Sequence, residues 1–196
     1  MKRLLTVLLM AAGWQAASQN VKPGFKAAVQ MNTFTGYETV YDKFSGTKPG
    51  WLAGPTVEFS VSGTFAIQSG LLFSTQGGDL GPYVINIYAM QLPAVAVYRR
   101  QRFFIGAGPV LSYGLRGRFE GGDDWNESRD LYEDGSALPM KRLDMQVQVT
   151  MGFDLSEKFQ LGSFYNKSLL NTSNHTDNPA FKTRLDSYGI SLNYIF

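Results

Sequence analysis

The sequence predicts an all-β chain that folds as a closed, eight-stranded, antiparallel, up-and-down transmembrane β-barrel. Three observations predict this fold. Apolar and polar residues alternate with a period of two along much of the chain, which gives the two faces of a strand different chemistries. Short and long connections take turns between the segments, as in a barrel with tight turns at one end and long loops at the other. A leader of the secretory type precedes the first segment.

Residues 1–18 are predicted to be a cleaved signal peptide, leaving residues 19–196 as one outer-membrane β-barrel domain. A basic start at Lys2 and Arg3 precedes an apolar run of ten residues, 4–13, and small residues at 16–18 match the site that signal peptidase recognises. The alternative is an uncleaved membrane anchor, but a spanning helix needs about 20 apolar residues. We therefore expect export, cleavage and a location in the cell outer membrane.

Eight segments are predicted to be strands, and two of the last three along the chain alternate most regularly. Their apolar residues are Leu143, Met145, Val147, Val149, Met151 and Phe153 in one, and Tyr188, Ile190, Leu192, Tyr194 and Phe196 in the other. The remaining strands are predicted at 24–34, 51–61, 64–75, 83–98, 102–116 and 158–169. Each is near or above the roughly 9–11 residues that a tilted membrane strand needs. Segment 83–98 alternates less regularly, so the sequence does not establish its register.

The connections between these strands alternate in length. The short ones are 62–63, 99–101 and 155–157, and the long ones are 35–50, 76–82, 117–140 and 170–183. In an up-and-down meander, odd-numbered connections lie at one end and even-numbered ones at the other. This asymmetry is typical of transmembrane barrels.

The polar face of the strands is predicted to line an enclosed lumen. It carries Gln, Thr, Ser, Asn and Gly with few charges, whereas the water-facing side of a soluble barrel carries many Lys and Glu residues. A soluble, lipocalin-like, ligand-binding barrel remains the alternative. The side chains expected to form a polar network in the lumen are Lys26, Glu58, Arg116, Asp144, Gln146 and Gln148. The charged members should pair, because an isolated charge there is costly. An ion path is the other interpretation of these charges.

Composition narrows the classes of function. The chain has no cysteine, which excludes disulfides, Cys-ligated zinc and thiol catalysis. Two of the 18 basic residues lie in the leader, so the mature chain carries 16 basic and 16 acidic residues. A nucleic-acid-binding role is therefore not expected. We expect no cofactor and no metal.

Two predicted loops contain residue types that occur in catalytic or metal-binding sites. The single histidine, His175, lies near Ser173 and Asp177 in a polar loop, and a lipid hydrolase would need such a set held rigidly. We expect the loop not to provide this, and predict no enzyme. The acidic loop 117–140 could bind Ca²⁺ through oxygen atoms, but it lacks EF-hand spacing. A solvated loop is the favoured interpretation, and whether the loop is ordered stays open.

The two ends of the barrel carry different candidate contacts. Leu192, Tyr194 and Phe196 resemble a C-terminal signal that the barrel assembly machinery reads, although an ordinary last strand would look similar. The basic residues expected at the outer rim are Lys141, Arg142, Lys182 and Arg184. They would meet lipid and lipopolysaccharide phosphates, or serve as ordinary rim charges. The aromatic residues expected at the membrane interfaces are Trp51, Tyr83, Tyr98, Tyr113, Tyr165 and Tyr194.

The segments "IQSGLLFSTQGG" (67–78) and "YAMQLPAVAVYRRQRFFIGAGPVLSYGL" (88–115) resemble the PorT-like outer-membrane β-barrel family. The shared features are Ser69-Gly70-Leu71, Leu92-Pro93 and the Phe103 to Pro109 motif. The resemblance implies the barrel fold, and its named member implies a link to a protein-secretion system. The first hypothesis is thus a non-enzymatic outer-membrane barrel with a structural or interaction role through its extracellular loops. An accessory role with secretion-system proteins is the alternative.

Overall fold

The computed structural model of the protein describes residues 21–35, 45–80, 83–121, 129–132, 140–172 and 184–196. Within these ranges the chain forms one sheet of 11 strands. They are β1 (Val21–Thr35), β2 (Ser45–Gly46), β3 (Lys48–Ser60), β4 (Phe65–Gly70), β5 (Leu72–Leu80), β6 (Tyr83–Arg100), β7 (Phe103–Gly121), β8 (Arg129–Asp130), β9 (Leu143–Asp154), β10 (Phe159–Ser168) and β11 (Arg184–Ile195). In this part of the chain, no helix is long and apolar enough to cross a membrane.

The sheet closes on itself as a barrel with eight wall strands. β4 and β5 follow each other as one wall strand with a break at Leu71, while β2 and β8 are two-residue additions beside β5 and β7. All pairings are antiparallel, and β1 pairs with β11 from Gly24↔Ile195 to Thr35↔Arg184. This pairing joins the first strand to the last, so the predicted closed, eight-stranded, antiparallel barrel is confirmed.

The predicted strand positions agree with the structure to within a few residues, with differences at two connections. The predicted loop 117–140 begins with five residues of β7, which ends at Gly121, and it also contains β8. The segment 76–82 was predicted to be a long loop, whereas β5 continues to Leu80 and β6 begins at Tyr83. Its Gly77-Gly78 pair resembles a turn, but Gly77 remains in the ladder opposite Asn86 with φ of 147°. A Cβ there would lie 2.0 Å from the carbonyl oxygen of Ile85. Glycine therefore permits a close approach of two strands here and does not end one.

The alternation of chemistry places apolar side chains outside and most polar side chains inside. In β9 the odd-numbered residues face outward and the even-numbered ones face the lumen. Val149 is 43% exposed, whereas Gln146 is 0% exposed. Because a closed barrel pairs every wall strand on both sides, its backbone groups are satisfied within the sheet.

Arg116 does not lie in the lumen, contrary to the expectation from the alternation. The register between β6 and β7 shifts by one residue, from Ala89↔Gly114 to Tyr88↔Arg116, so that Leu115 is an extra residue in β7. Leu115 and Arg116 are consequently both exposed. Such a β-bulge re-aims the side chains that follow it.

The lumen is also less polar than the alternation along the sequence predicts. Three apolar clusters lie inside it, at the loop end, in the middle and at the turn end. Their members are Phe34, Ile85, Ile87, Ala89, Leu131 and Leu185; then Ala28, Leu52, Leu72 and Phe164; then Val95, Val97 and Phe104. β6 carries apolar residues on both faces, so alternation did not reveal which of its faces lies inside.

Candidate functional site

A cluster of charged side chains crosses the lumen near the tight turns. Glu58 of β3 accepts two hydrogen bonds from Arg99 of β6, from Nη1 at 2.7 Å and from Nη2 at 2.9 Å. Nε of Arg99 lies 3.0 Å from Oδ2 of Asp154 at the end of β9. Gln68 donates a further hydrogen bond to Glu58 at 2.9 Å. One guanidinium thus compensates two carboxylates that belong to strands on different sides of the barrel.

Arg99 and Asp154 were not identified from the sequence, because Arg99 was assigned to a turn. The period-two alternation along β6 could have identified Arg99 as a residue that faces the lumen. Val95 and Val97 face inward, and a step of two along β6 leads to Arg99. Lys26 and Glu58, in contrast, lie at the lumen as the alternation indicated.

The lumen is almost completely filled beside this cluster. Lys26, Glu58, Gln68, Gln148 and Asn193 line a cavity of about 10 Å³, which is room for about one water molecule. At the turn end the lumen widens into an open vestibule of about 640 Å³. Solvent therefore reaches the turn end of the barrel, whereas the cavity beside the charged cluster is too small for more than about one water molecule.

A second polar network lies on the wall formed by β9 and β10. Asp144 accepts a hydrogen bond from Oγ of Ser168 at 2.7 Å and one from Nε2 of Gln146 at 2.8 Å. Asn166 donates to Oγ of Ser187 at 3.3 Å. Neutral partners surround the Asp144 carboxylate, and within the described chain it forms no ion pair.

A third network lines the opposite wall. Gln30 donates hydrogen bonds to Asn32 at 2.9 Å and to the carbonyl oxygen of Thr75 at 3.0 Å. Asn32 in turn donates to the carbonyl oxygen of Lys48 at 3.2 Å, and Lys48 donates to Asn86. These bonds connect β1, β3, β5 and β6 within the lumen.

An apolar residue from a connecting segment closes the lumen at the loop end. Leu131 is 0% exposed and packs among the apolar cluster that contains Phe34, Ile85 and Leu185. The short strand β8 brings it there by pairing with Arg118 and Phe119 of β7. Gly117 makes room, since a Cβ at that position would lie 2.9 Å from Cδ1 of Leu131. We call Leu131 and this cluster the mouth cluster.

Aromatic side chains surround the outer surface at two levels. At the turn end, cross-strand ring pairs have centroid distances of 5.1, 5.4 and 5.0 Å; they are Phe65 with Tyr98, Phe103 with Phe153, and Phe159 with Tyr194. Exposed aromatics toward the loop end are Trp51, Tyr88, Tyr113, Tyr165 and Tyr188. On β7, the eleven residues from Phe103 to Tyr113 cover about 25 Å of membrane at the usual strand tilt. This matches the apolar band of an outer-membrane barrel.

The remaining predicted positions are found at the two ends. Leu192 is exposed, the ring of Tyr194 packs against Phe196 at 5.3 Å, and Phe196 is 71% exposed. Lys141, Arg142 and Arg184 are exposed at the loop end. The signal peptide, Lys182, His175 and its neighbours, and most of the acidic loop lie outside the described residues. Among the residues that are described, no group of three or more His, Cys, Asp or Glu side chains can hold a metal.

Comparisons with known proteins support the barrel assignment. The sequence matches the family described as "Outer membrane protein beta-barrel domain" over residues 15–174. No curated protein matches the chain. The structure is similar to Neisserial surface protein A, NspA, with a TM-score of 0.60, 10% identity, and coverage of 89% of this chain and 97% of that one. It is also similar to Ail, the attachment invasion locus protein of Yersinia pestis, with a TM-score of 0.54, 10% identity, and coverage of 90% and 99%. These two likenesses concern the fold.

Proposed function

The chain belongs to the outer membrane protein β-barrel domain family, and from that premise we propose that it is a non-enzymatic scaffold that presents extracellular loops for structural or interaction roles. Its tight connections, 61–64, 101–102 and 155–158, would face the periplasm. The long connections would face outward, as is usual in this class of barrel. The outer aromatic levels and the apolar band between them support insertion in the outer membrane.

The observation that carries this proposal is the filled lumen. Two obstructions lie in series within the described part of the barrel. The mouth cluster closes the loop end, and the side chains around Lys26 leave room for about one water. A barrel of eight strands has an interior just wide enough for side chains. Transport through the lumen is thus disfavoured, and contacts of the loops become the main route to a function.

Conductance in planar lipid bilayers tests the closed lumen. The full-length protein should produce no stable, large single-channel steps. Leu131→Ala should also remain closed, because the second obstruction near Lys26 is intact. Stable large steps from the unmodified protein would contradict the proposal. Fractionation and heat-modifiable migration on a detergent gel test insertion independently, since a soluble, ligand-binding barrel would be released without detergent.

A role as an accessory of a secretion or assembly system is the second candidate. It is favoured by the resemblance to PorT-like proteins on the strands that contain Leu92-Pro93 and Phe103 to Pro109. Deletion of the gene followed by comparison of the secreted proteins distinguishes the two roles. Loss of a set of secreted proteins supports the accessory role, whereas an unchanged set supports the scaffold role.

We assign the C-terminal residues a contact with the barrel assembly machinery during insertion. The backbone N–H of Phe196 donates to the carbonyl oxygen of Pro23 at 3.0 Å, so the chain end lies at the seam between the first and last strands. The Phe196 side chain stays exposed at the turn end. An exposed, aromatic-ended strand can add to the sheet edge of a partner.

A further inference from the structure

The open vestibule at the turn end is surrounded by basic side chains from different strands. Its volume is about 640 Å³, and the basic residues that line it are Lys22, Arg99, Arg102 and Lys158. Lys22 belongs to β1, Arg102 immediately precedes β7 and Lys158 immediately precedes β10. These positions are far apart in the sequence, so only the closed barrel brings the three cations to one cavity.

The period-two alternation directs these side chains toward the axis of the barrel. Near the turn end, the buried residues of β7 and β10 are the even-numbered ones. Arg102 and Lys158 extend these two rows by one step beyond Phe104 and Gln160, which are both buried. Lys22 extends the inward row of β1 in the same way. The three side chains therefore face the vestibule and not the membrane.

Lys22, Lys158 and Arg102 are evenly spaced around one half of the barrel wall. In this half, β1 pairs with β11, β11 with β10, β10 with β9 and β9 with β7. Each of the three residues is thus two strands away from the next, and Lys22 and Arg102 lie on opposite sides of the eight-stranded wall. A ligand in the middle of the vestibule would have cations on three sides. We call these three residues the vestibule cations.

The carboxylates of the vestibule do not pair with the vestibule cations. Asp154 pairs with Arg99, which also pairs with Glu58. Glu157 and the carboxylate-bearing Phe196 line the vestibule as well. Within the described residues, none of the vestibule cations forms an ion pair. They outnumber the carboxylates that could still compensate them, so a negatively charged ligand would find positive charge that is not already in use.

The other lining residues suit a peptide better than a small anion. Ser156 and Gln160 supply polar groups, and Ile195 and Phe196 supply apolar atoms. A cavity of this volume is far larger than one inorganic anion needs, and its open end lets a longer chain extend into solvent. A peptide that carries carboxylates can combine ion pairing, hydrogen bonding and apolar contact at such a surface.

We propose that the vestibule binds an acidic segment of a periplasmic protein, whose carboxylates are compensated by the vestibule cations. This inference rests on the proposed orientation, in which the turn end faces the periplasm. Complementary charge accelerates the encounter of two proteins and disfavours partners of the wrong sign. The barrel would then make contacts on both sides of the outer membrane.

Fluorescence anisotropy of a labelled glutamate-rich peptide, titrated with the full-length protein in a non-ionic detergent, tests the site. Lys22→Gln combined with Arg102→Gln should weaken binding by on the order of tenfold. Lys167→Gln combined with Arg100→Gln is the matched control, because it removes the same two charges from exposed positions outside the vestibule. The control should change binding by less than about twofold. Heat-modifiable migration establishes that each variant is folded.

Four results would each overturn the acidic-peptide site. They are no binding of the peptide to the unmodified protein, equal binding of a glutamine-rich counterpart, equal weakening by the two pairs of substitutions, and full competition by inorganic phosphate at the concentration of the peptide. If the first pair prevents folding, Lys158→Glu replaces it. This variant reverses one of the charges, so it should also weaken binding, and unchanged binding counts against the site.

Thiol labelling in cells separates this inference from the proposed function. The chain has no cysteine, so Lys158→Cys introduces a single thiol at the vestibule. A bulky maleimide that cannot cross the outer membrane should label this thiol only after the membrane is permeabilised. Labelling in intact cells would refute the proposed orientation. Labelling only after permeabilisation, together with no binding of the acidic peptide, would refute the vestibule site and leave the proposed function standing.

Discussion

Two carboxylates inside this barrel are accommodated in opposite ways. Glu58 is 3% exposed and receives two hydrogen bonds from one guanidinium, whereas Asp144 is 7% exposed and receives them from a hydroxyl and an amide. The Glu58 cluster connects β3, β6 and β9 across the lumen, and the Asp144 network connects the adjacent strands β9 and β10. The first acts as a brace across the barrel, and the second joins two strands that the backbone already pairs.

The difference indicates which of the two carboxylates needs its negative charge for the stability of the barrel. A buried ion pair contributes little by itself, but removing one partner leaves an uncompensated charge at large cost. This applies to Glu58 and Arg99. Asp144 has no cationic partner within the described chain, so its negative charge receives less compensation there. We therefore expect substitutions in the Glu58 cluster to lower the stability of the barrel strongly, and substitution of Asp144 to change it little.

Arg99→Met should have the largest effect of the substitutions that separate the two networks. It leaves Glu58 and Asp154 without their shared cation, and we expect a loss of about 3–5 kcal/mol in the free energy of unfolding. Urea unfolding of protein reconstituted in lipid vesicles measures this loss. Arg100→Met is the matched control, because that side chain is exposed. Equal losses from the two substitutions would refute the brace.

Glu58→Gln should have an intermediate effect. The new amide keeps the shape of the side chain but removes the charge that Arg99 contacts at 2.7 Å. Asp154 still compensates the guanidinium, so we expect a loss of about 1.5–3 kcal/mol, typical of a hydrogen bond to a charged group. The same unfolding measurement in vesicles applies. A loss as large as that from Arg99→Met would mean that Asp154 does not contribute to the cluster.

Asp144→Asn should have the smallest effect, within about 1 kcal/mol in either direction. The new side-chain oxygen still accepts from Ser168. Oε1 of Gln146 has no hydrogen-bond partner among the described atoms, so rotation of that amide supplies an acceptor for the new N–H groups. Unfolding in vesicles, measured beside Glu58→Gln, gives the comparison directly. If the two substitutions proved equally costly, the two networks would not differ as described.

The faces of most strands were predictable from the sequence because period-two alternation reports them directly. The exceptions have local physical causes. Arg116 faces outward because a bulge inserts one residue into β7. The position of this bulge was not apparent from the pattern of residue types. β6 is apolar on both faces, so its inner side and the apolar clusters were not apparent. The contact between Glu58 and Arg99 joins residues far apart in the sequence, and only the closed barrel brings them together.

The pairing of β1 with β11 also determines when this barrel can form. Gly24 finds its partner only after Ile195 has been synthesised, so closure cannot begin on the nascent chain. Contacts between such distant residues make folding slow. Until β1 and β11 pair, each presents a strand edge with unpaired backbone amides, and such edges make a chain prone to aggregation. We therefore expect a chain of this design to need protection from aggregation until its first and last strands pair.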